Sequence, residues 1–182
     1  MNWSQEKYAR AYRFAAEAHL GQKYPGTELP YLLHIGLVCM EILAALQVER
    51  ECDGDLALQC ALLHDTIEDT TVAYEQVRDE FGVAVADGVL ALSKNEKLEK
   101  SLQMSDSLRR ILEQPREIGM VKLADRITNL QQPPRYWTVD KIMRYRQEAQ
   151  QIYDALHETS PFLALRLAQK IADYQRFVSE KK

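Results

Sequence analysis

Glycine and proline are scarce in this sequence, seven and six in 182 residues, and they sit between periodic segments. That favours an all-helical fold, because breakers are sparse and local. There are three cysteines, Cys39, Cys52 and Cys60, none in CxxC spacing. They read as buried free thiols in a reducing compartment. No apolar run approaches the length of a membrane span. The first ten residues, MNWSQEKYAR, are polar and contain no signal-peptide core, so a cytoplasmic protein is expected. An excess of positive charge is also missing: the formal net charge is -4, with no long block of one sign. Binding to nucleic acid through a general basic field is thereby disfavoured. What is there is ordinary for a globular chain, 46% apolar and 27% charged, and long enough for one domain, 1–182, with its own core.

Periodicity predicts eight or nine helices and no strand. Tyr8, Tyr12, Ala15, Ala16 and His19 share a face over residues 4–20. A loop, GQKYPGTELP, follows, and Pro30 fits the first turn of the next helix. Asp53 and Asp55 can cap LALQCALLHD, and Thr71 can cap a helix ending at Gly82. A short helix, VAVADGVLAL, comes next, and residues 95–113 are polar and basic, suited to a helix or a mobile loop. Pro115 opens REIGMVKLADRITNL and Pro133-Pro134 stops it. Thr138 and Ser160-Pro161 cap the last two helices. The last one could pack on the domain or on a second copy, giving a homodimer. No internal repeat or linker is present.

Four places put histidine or carboxylate into apolar, helical surroundings: His34, His64-Asp65, Glu68-Asp69 and the polar stripe Lys122, Asp125, Arg126, Asn129. Each alone has an ordinary explanation, as a core histidine, a solvated helix end or a solvated face. Acids at a helix C-terminus are electrostatically disfavoured, and a nearby cation removes the objection. Together His34, His64, Asp65 and Asp125 make a two-histidine, two-carboxylate set on three helices. Mixed nitrogen and oxygen ligands without thiolate suit Mn²⁺, Fe²⁺ or Zn²⁺. Such an ion would leave water positions open, and Glu68 and Asp69 are placed to orient a water or move its proton. His19 reads as structural and His157 as a C-terminal cap. The basic residues Lys94, Lys97, Lys100, Arg109, Arg110, Arg116, Lys122 and Arg126 read mostly as a solvated face.

The strings AHLGQ, PYLLH, ALLHDTIEDT and VKLADRITNL, in that order, resemble the hydrolase domain of the RelA/SpoT alarmone enzymes, within the HD phosphohydrolase pattern H…HD…D. The resemblance covers about residues 5–155 and is nearest to free-standing small alarmone hydrolases. It implies an all-α fold, Mn²⁺, and removal of pyrophosphate from the 3′ position of guanosine 3′,5′-bis(diphosphate), (p)ppGpp. It implies that His34, His64, Asp65 and Asp125 hold the metal and that Glu68 and Asp69 activate water. Asn129 would lie beside the nucleotide, Lys97 would face phosphate, and Lys141 and Tyr145 would face the diphosphates and ribose. No synthetase or regulatory region is expected to follow.

The sequence departs from the family in KYPGTELPY, where Lys23 would stand as a substrate-binding residue for one member of an absent Arg-Lys pair that in the family helps hold the guanine nucleotide, and at Ile35, where the family has proline. Three readings therefore stand: a (p)ppGpp 3′-pyrophosphohydrolase, an HD phosphohydrolase for another nucleotide or phosphorylated metabolite, and a non-catalytic binding module on the same fold.

Overall fold

The computed structural model describes residues 2–179. Among them are nine helices of eight or more residues and one four-residue helical turn: α1 (Gln5–Ala18), α2 (Leu32–Val48), α3 (Gly54–Leu63), α4 (Thr66–Asp69), α5 (Tyr74–Phe81), α6 (Val83–Leu92), α7 (Lys100–Leu112), α8 (Arg116–Asn129), α9 (Val139–Leu156) and α10 (Pro161–Ser179). No strand occurs among the described residues; a single bridge joins Lys23 and Pro30.

The start signals explain most of the boundaries. Ser4 caps α1 through a bond from the Lys7 amide, worth about 1 kcal/mol. Asp53 accepts from the Leu56 amide and caps α3. Asp55 has a different partner: it accepts from Ser4 N at 2.6 Å and Lys7 Nζ at 2.6 Å, tying α1 to α3. Thr71 caps nothing. The helix begins two residues later, after Ala73, whose amide donates to the Gln76 side chain at 2.8 Å. Thr138 and Ser160 cap α9 and α10 as their positions suggest. Most of the polar 95–113 stretch, Lys100–Leu112, becomes helix α7, with Arg110 reaching back to the carbonyls of Leu90 and Ser93.

α2, α3 and α8 form the centre. Nine of ten residues of α3 are buried, as expected for a helix apolar all round. α8 is buried on nearly every side, so it is a central element rather than a surface helix. It packs on α2, α3 and α10, and its polar stripe lines a cavity beside the cluster. α5 and α6 meet at Gly82, whose φ of 90° is the region where side chains are strained. α6 then lies so close to the centre that a Cβ at Gly88 would fall 2.5 Å from Ile118 Cδ1 and 2.9 Å from Cys60 Sγ. α10 packs on α9, α8 and α2 of its own chain. Cys39 and Cys60 are buried, Cys52 is partly exposed, and all three are free thiols.

Candidate active site

The segment ALLHDTIEDT is not one helix. α3 stops at Leu63, Thr66 Oγ1 donates to the Leu63 carbonyl at 2.7 Å, and α4 begins at Thr66. His64 and Asp65 occupy the joint. On a straight helix adjacent side chains diverge by about 100°. The break turns the Asp65 carboxylate back to within 2.9 Å of His64 Nε2. His34, from α2, brings its Nε2 to 3.2 Å from His64 Nε2, and Asp125, from α8, places Oδ1 3.4 Å from His34 Nε2 and 3.9 Å from His64 Nε2. His34, His64 and Asp125 thus offer three ligand atoms within 4.8 Å of one another. Asp65 Oδ2 lies 3.7 Å from His34 Nε2 on the same spot.

The surrounding bonds aim these atoms. His64 Nδ1 faces the Ala61 carbonyl at 2.8 Å, so Nδ1 carries a proton and Nε2 points at the cluster. Thr128 Oγ1 donates to the Asp125 carbonyl at 2.8 Å and lies 3.3 Å from His34 Nδ1, from which it accepts. His34 therefore also turns Nε2 inward. Tyr31 donates its hydroxyl to Asp65 Oδ2, and Asn129 Nδ2 donates to Asp125 Oδ1 at 2.5 Å. Both imidazoles are buried. Two inward ring nitrogens 3.2 Å apart repel unless a proton or cation lies between them. The donor set and its outer partners fit a divalent ion, and a His/Asp group is positioned for a metal.

Charge states follow the same geometry. Burial pulls the His64 imidazole down, but the Asp65 and Asp125 carboxylates outweigh it and push its pKa up to about 9. Burial would raise Asp65 and Asp125, yet the neighbouring histidines, and for Asp125 also Lys122, hold both carboxyls well below the usual range. Asp69 behaves oppositely. It is more open to solvent, but the atoms packed about its carboxyl push its pKa up, helped by Asp65 and Glu68. Glu68 has both oxygens taken by one residue, Lys94: the amide at 2.8 Å and Nζ at 2.5 Å.

Asp65, Glu68, Asp69 and Asp125 line one side of a cavity of about 380 Å³, whose other walls include Lys94, Lys100, Lys122 and Arg126. A second cavity, of about 280 Å³, adjoins it through the shared residues Asn129 and Tyr145. Its wall is an aromatic slot of Tyr24, Trp137 and Tyr174, with the amides of Gln131 and Gln132. So Asn129 and Tyr145 stand between the two cavities. Lys97, Lys23 and Lys141 line neither. Lys97 is exposed three residues beyond Lys94, Lys23 pairs with Glu28 within its loop, and Lys141 lies over the Trp137 ring at 4.3 Å. Tyr31, Thr128 and Lys94 take part without having been singled out for the site from sequence. His19 is buried against Tyr31, and His157 faces the carbonyls that end α9.

An HD-domain family model matches residues 11–160. The chain is 33% identical over 157 residues to the guanosine-3′,5′-bis(diphosphate) 3′-pyrophosphohydrolase of Aquifex aeolicus, covering 83% of this chain and 21% of that one. It is 34% identical to the bifunctional (p)ppGpp synthase/hydrolase SpoT of Escherichia coli K12, again spanning 21% of the relative. It is 30% identical over 162 residues to the 3′-pyrophosphohydrolase MESH1 of Danio rerio, covering 86% of this chain and 87% of the relative. A solved structure of a metazoan ortholog of SpoT that hydrolyzes ppGpp superimposes with a TM-score of 0.80 at 28% identity, over 97% of this chain and 98% of that one. The chain belongs to the HD-domain family and, within it, to the group of the SpoT- and MESH1-type (p)ppGpp hydrolases.

Proposed function

We propose that this protein is a divalent-metal-dependent phosphohydrolase that removes pyrophosphate from the 3′ position of (p)ppGpp, leaving GDP or GTP. The observation that carries the reading is the convergence of His34, His64 and Asp125 on one another, with Asp125 on the wall of a cavity that also carries cations and that adjoins an aromatic slot. Mn²⁺ is the ion proposed, held by His34, His64, Asp65 and Asp125. When bound, it would act as a Lewis acid and lower the pKa of a water beside it.

The chain's own groups then divide the work. Asp69, its carboxyl pushed up by burial and by the nearby Asp65 and Glu68 carboxylates, is the group suited to take a proton. Glu68, fixed by Lys94, orients the attacking water. Tyr31 and Asn129 hold the Asp65 and Asp125 carboxylates in place. The slot between Tyr24 and Trp137 suits stacking of a nucleobase, and Asn129 and Tyr145 lie where the nucleotide would cross from slot to metal. The whole chain acts as one HD domain, in the cytoplasm.

One observation favours a second nucleotide substrate. Lys23 does not line the slot, whose polar side chains include the amides Asn129, Gln131 and Gln132 together with Thr27 and three tyrosine hydroxyls. Such groups can serve bases other than guanine. Purified protein with Mn²⁺ and a nucleotide panel separates the readings. Consumption of ppGpp that stops on chelation and returns with Mn²⁺ is expected. Turnover of other nucleotides but not ppGpp selects the second substrate class, and turnover of none rejects both.

A further inference from the structure

We infer that Arg126 is an anion-binding residue of the main cavity, holding a phosphate group of the substrate at the junction between the metal cluster and the aromatic slot. The inference rests on the phosphohydrolase reading and adds a binding residue to it.

Arg126 follows Asp125 on α8 and is 6% exposed. Buried guanidinium groups ordinarily have their N–H donors engaged, because the charge cannot be shed and bare donors are costly. Here Nε and Nη1 have no hydrogen-bond acceptor. The nearby carboxylate, Glu148 Oε2, lies 3.7 Å from Nη1, an ion pair but too long for a hydrogen bond. The guanidinium lies over the Tyr145 ring, 4.4 Å from its centroid, so an aromatic face fixes its plane without using its donors.

Of its neighbours on the cavity wall, Lys94 is engaged with Glu68, Lys122 stands 3.6 Å from Asp125 in an ion pair as long as that of Arg126, and Lys100 is exposed. Arg126 is the deeply buried cation there whose donors are left to spare, and Tyr145, on which it rests, lines both cavities. A planar fork with unpaired donors matches phosphate oxygens, and a small shift of the side chain brings Nε and Nη1, shielded in the metal-free protein, to the cavity surface. Glu148, at the same wall and half-exposed, competes for the fork when no anion is bound.

The test uses inorganic pyrophosphate as the probe, titrated calorimetrically into the full-length chain without added free metal. R126M should weaken binding at least tenfold, and R126K, which keeps charge but not the fork, should weaken it several-fold. E148Q should tighten binding severalfold in the parent and not in R126M, since the gain passes through Arg126. Binding by R126M within twofold of the parent, or an equal E148Q gain in both backgrounds, overturns the assignment, as does a parent chain that binds no pyrophosphate. If R126M does not fold, R126K decides, with unchanged affinity overturning it. Loss of pyrophosphate binding in R126M from a chain inactive on ppGpp would keep the subsite and reject the substrate. Full activity on ppGpp with unchanged pyrophosphate binding in R126M would do the reverse.

Discussion

Lys94 closes on Glu68 with both its amide and its ammonium, so the Glu68 carboxylate is fixed by the residues just past the end of α6. A group that only helped bind metal would face the cluster instead. Glu68→Gln should therefore keep the bound metal and lose turnover by about 10²–10⁴-fold, the range for a positioned acid–base group. Lys94→Met should lower kcat with metal content unchanged. Metal analysis beside steady-state kinetics checks both, and loss of metal in either variant would contradict the assigned roles.

Asp125 and Thr128 are one turn apart and act on the cluster differently. Asp125→Ala removes a ligand atom and the partner of Asn129, and should leave the purified protein without bound Mn²⁺. Thr128→Val keeps the shape and removes the acceptor for His34 Nδ1. Its expected effect is a Mn²⁺ affinity about 10–100-fold weaker, as for other lost partners of a ligating histidine. Equilibrium dialysis gives both numbers; an unchanged affinity in Thr128→Val would remove that residue from the site.

The pH dependence of metal binding has a definite sign. In the metal-free protein the Asp65 and Asp125 carboxylates overcome burial and push His64 up to about 9. Below that pH the ring carries a proton that an incoming ion must displace. Mn²⁺ affinity should rise with pH, by about tenfold per unit for one displaced proton, and level off above about 9. For the metal-free fold the sign is reversed. A raised histidine pKa stabilises fully below the unfolded value, about 6.5, and that contribution is lost as pH climbs through 9. Proton release during calorimetric titration checks the first, and melting of the metal-free protein the second.

Gly88 sits where α6 meets the centre. Gly88→Ala places a methyl group against Ile118 and Cys60. Overpacking of this kind costs about 1–3 kcal/mol. A lowered denaturation midpoint is expected, and an unchanged one would mean that α6 can slide outward freely.

Much of this was legible before the structure, for physical reasons that can be traced. Breakers were few and well placed, so helices bounded by Ser160-Pro161 or Thr138 could be drawn from sequence. Histidines and acids on apolar segments stood out because burial of such groups needs a partner. What was hidden depends on how helices cross. Nothing local says that the Tyr31 hydroxyl meets Asp65 or that Thr128 meets His34. Lys94 and Lys97 lie in the same unpatterned stretch, and only the end of α6 turns the former toward Glu68. The split of ALLHDTIEDT into α3 and α4 was likewise invisible, since every residue in it tolerates a helix. The stripe of Lys122, Asp125, Arg126 and Asn129 was periodic, but periodicity cannot distinguish a face toward water from one toward a cavity.

The most direct measurement is the identity of the phosphorus product. Phosphorus NMR of ppGpp incubated with the Mn²⁺-loaded protein should show inorganic pyrophosphate and GDP in equal amounts, and none of either after chelation. Orthophosphate as the first product, or pyrophosphate formation that survives removal of the metal, would contradict the account.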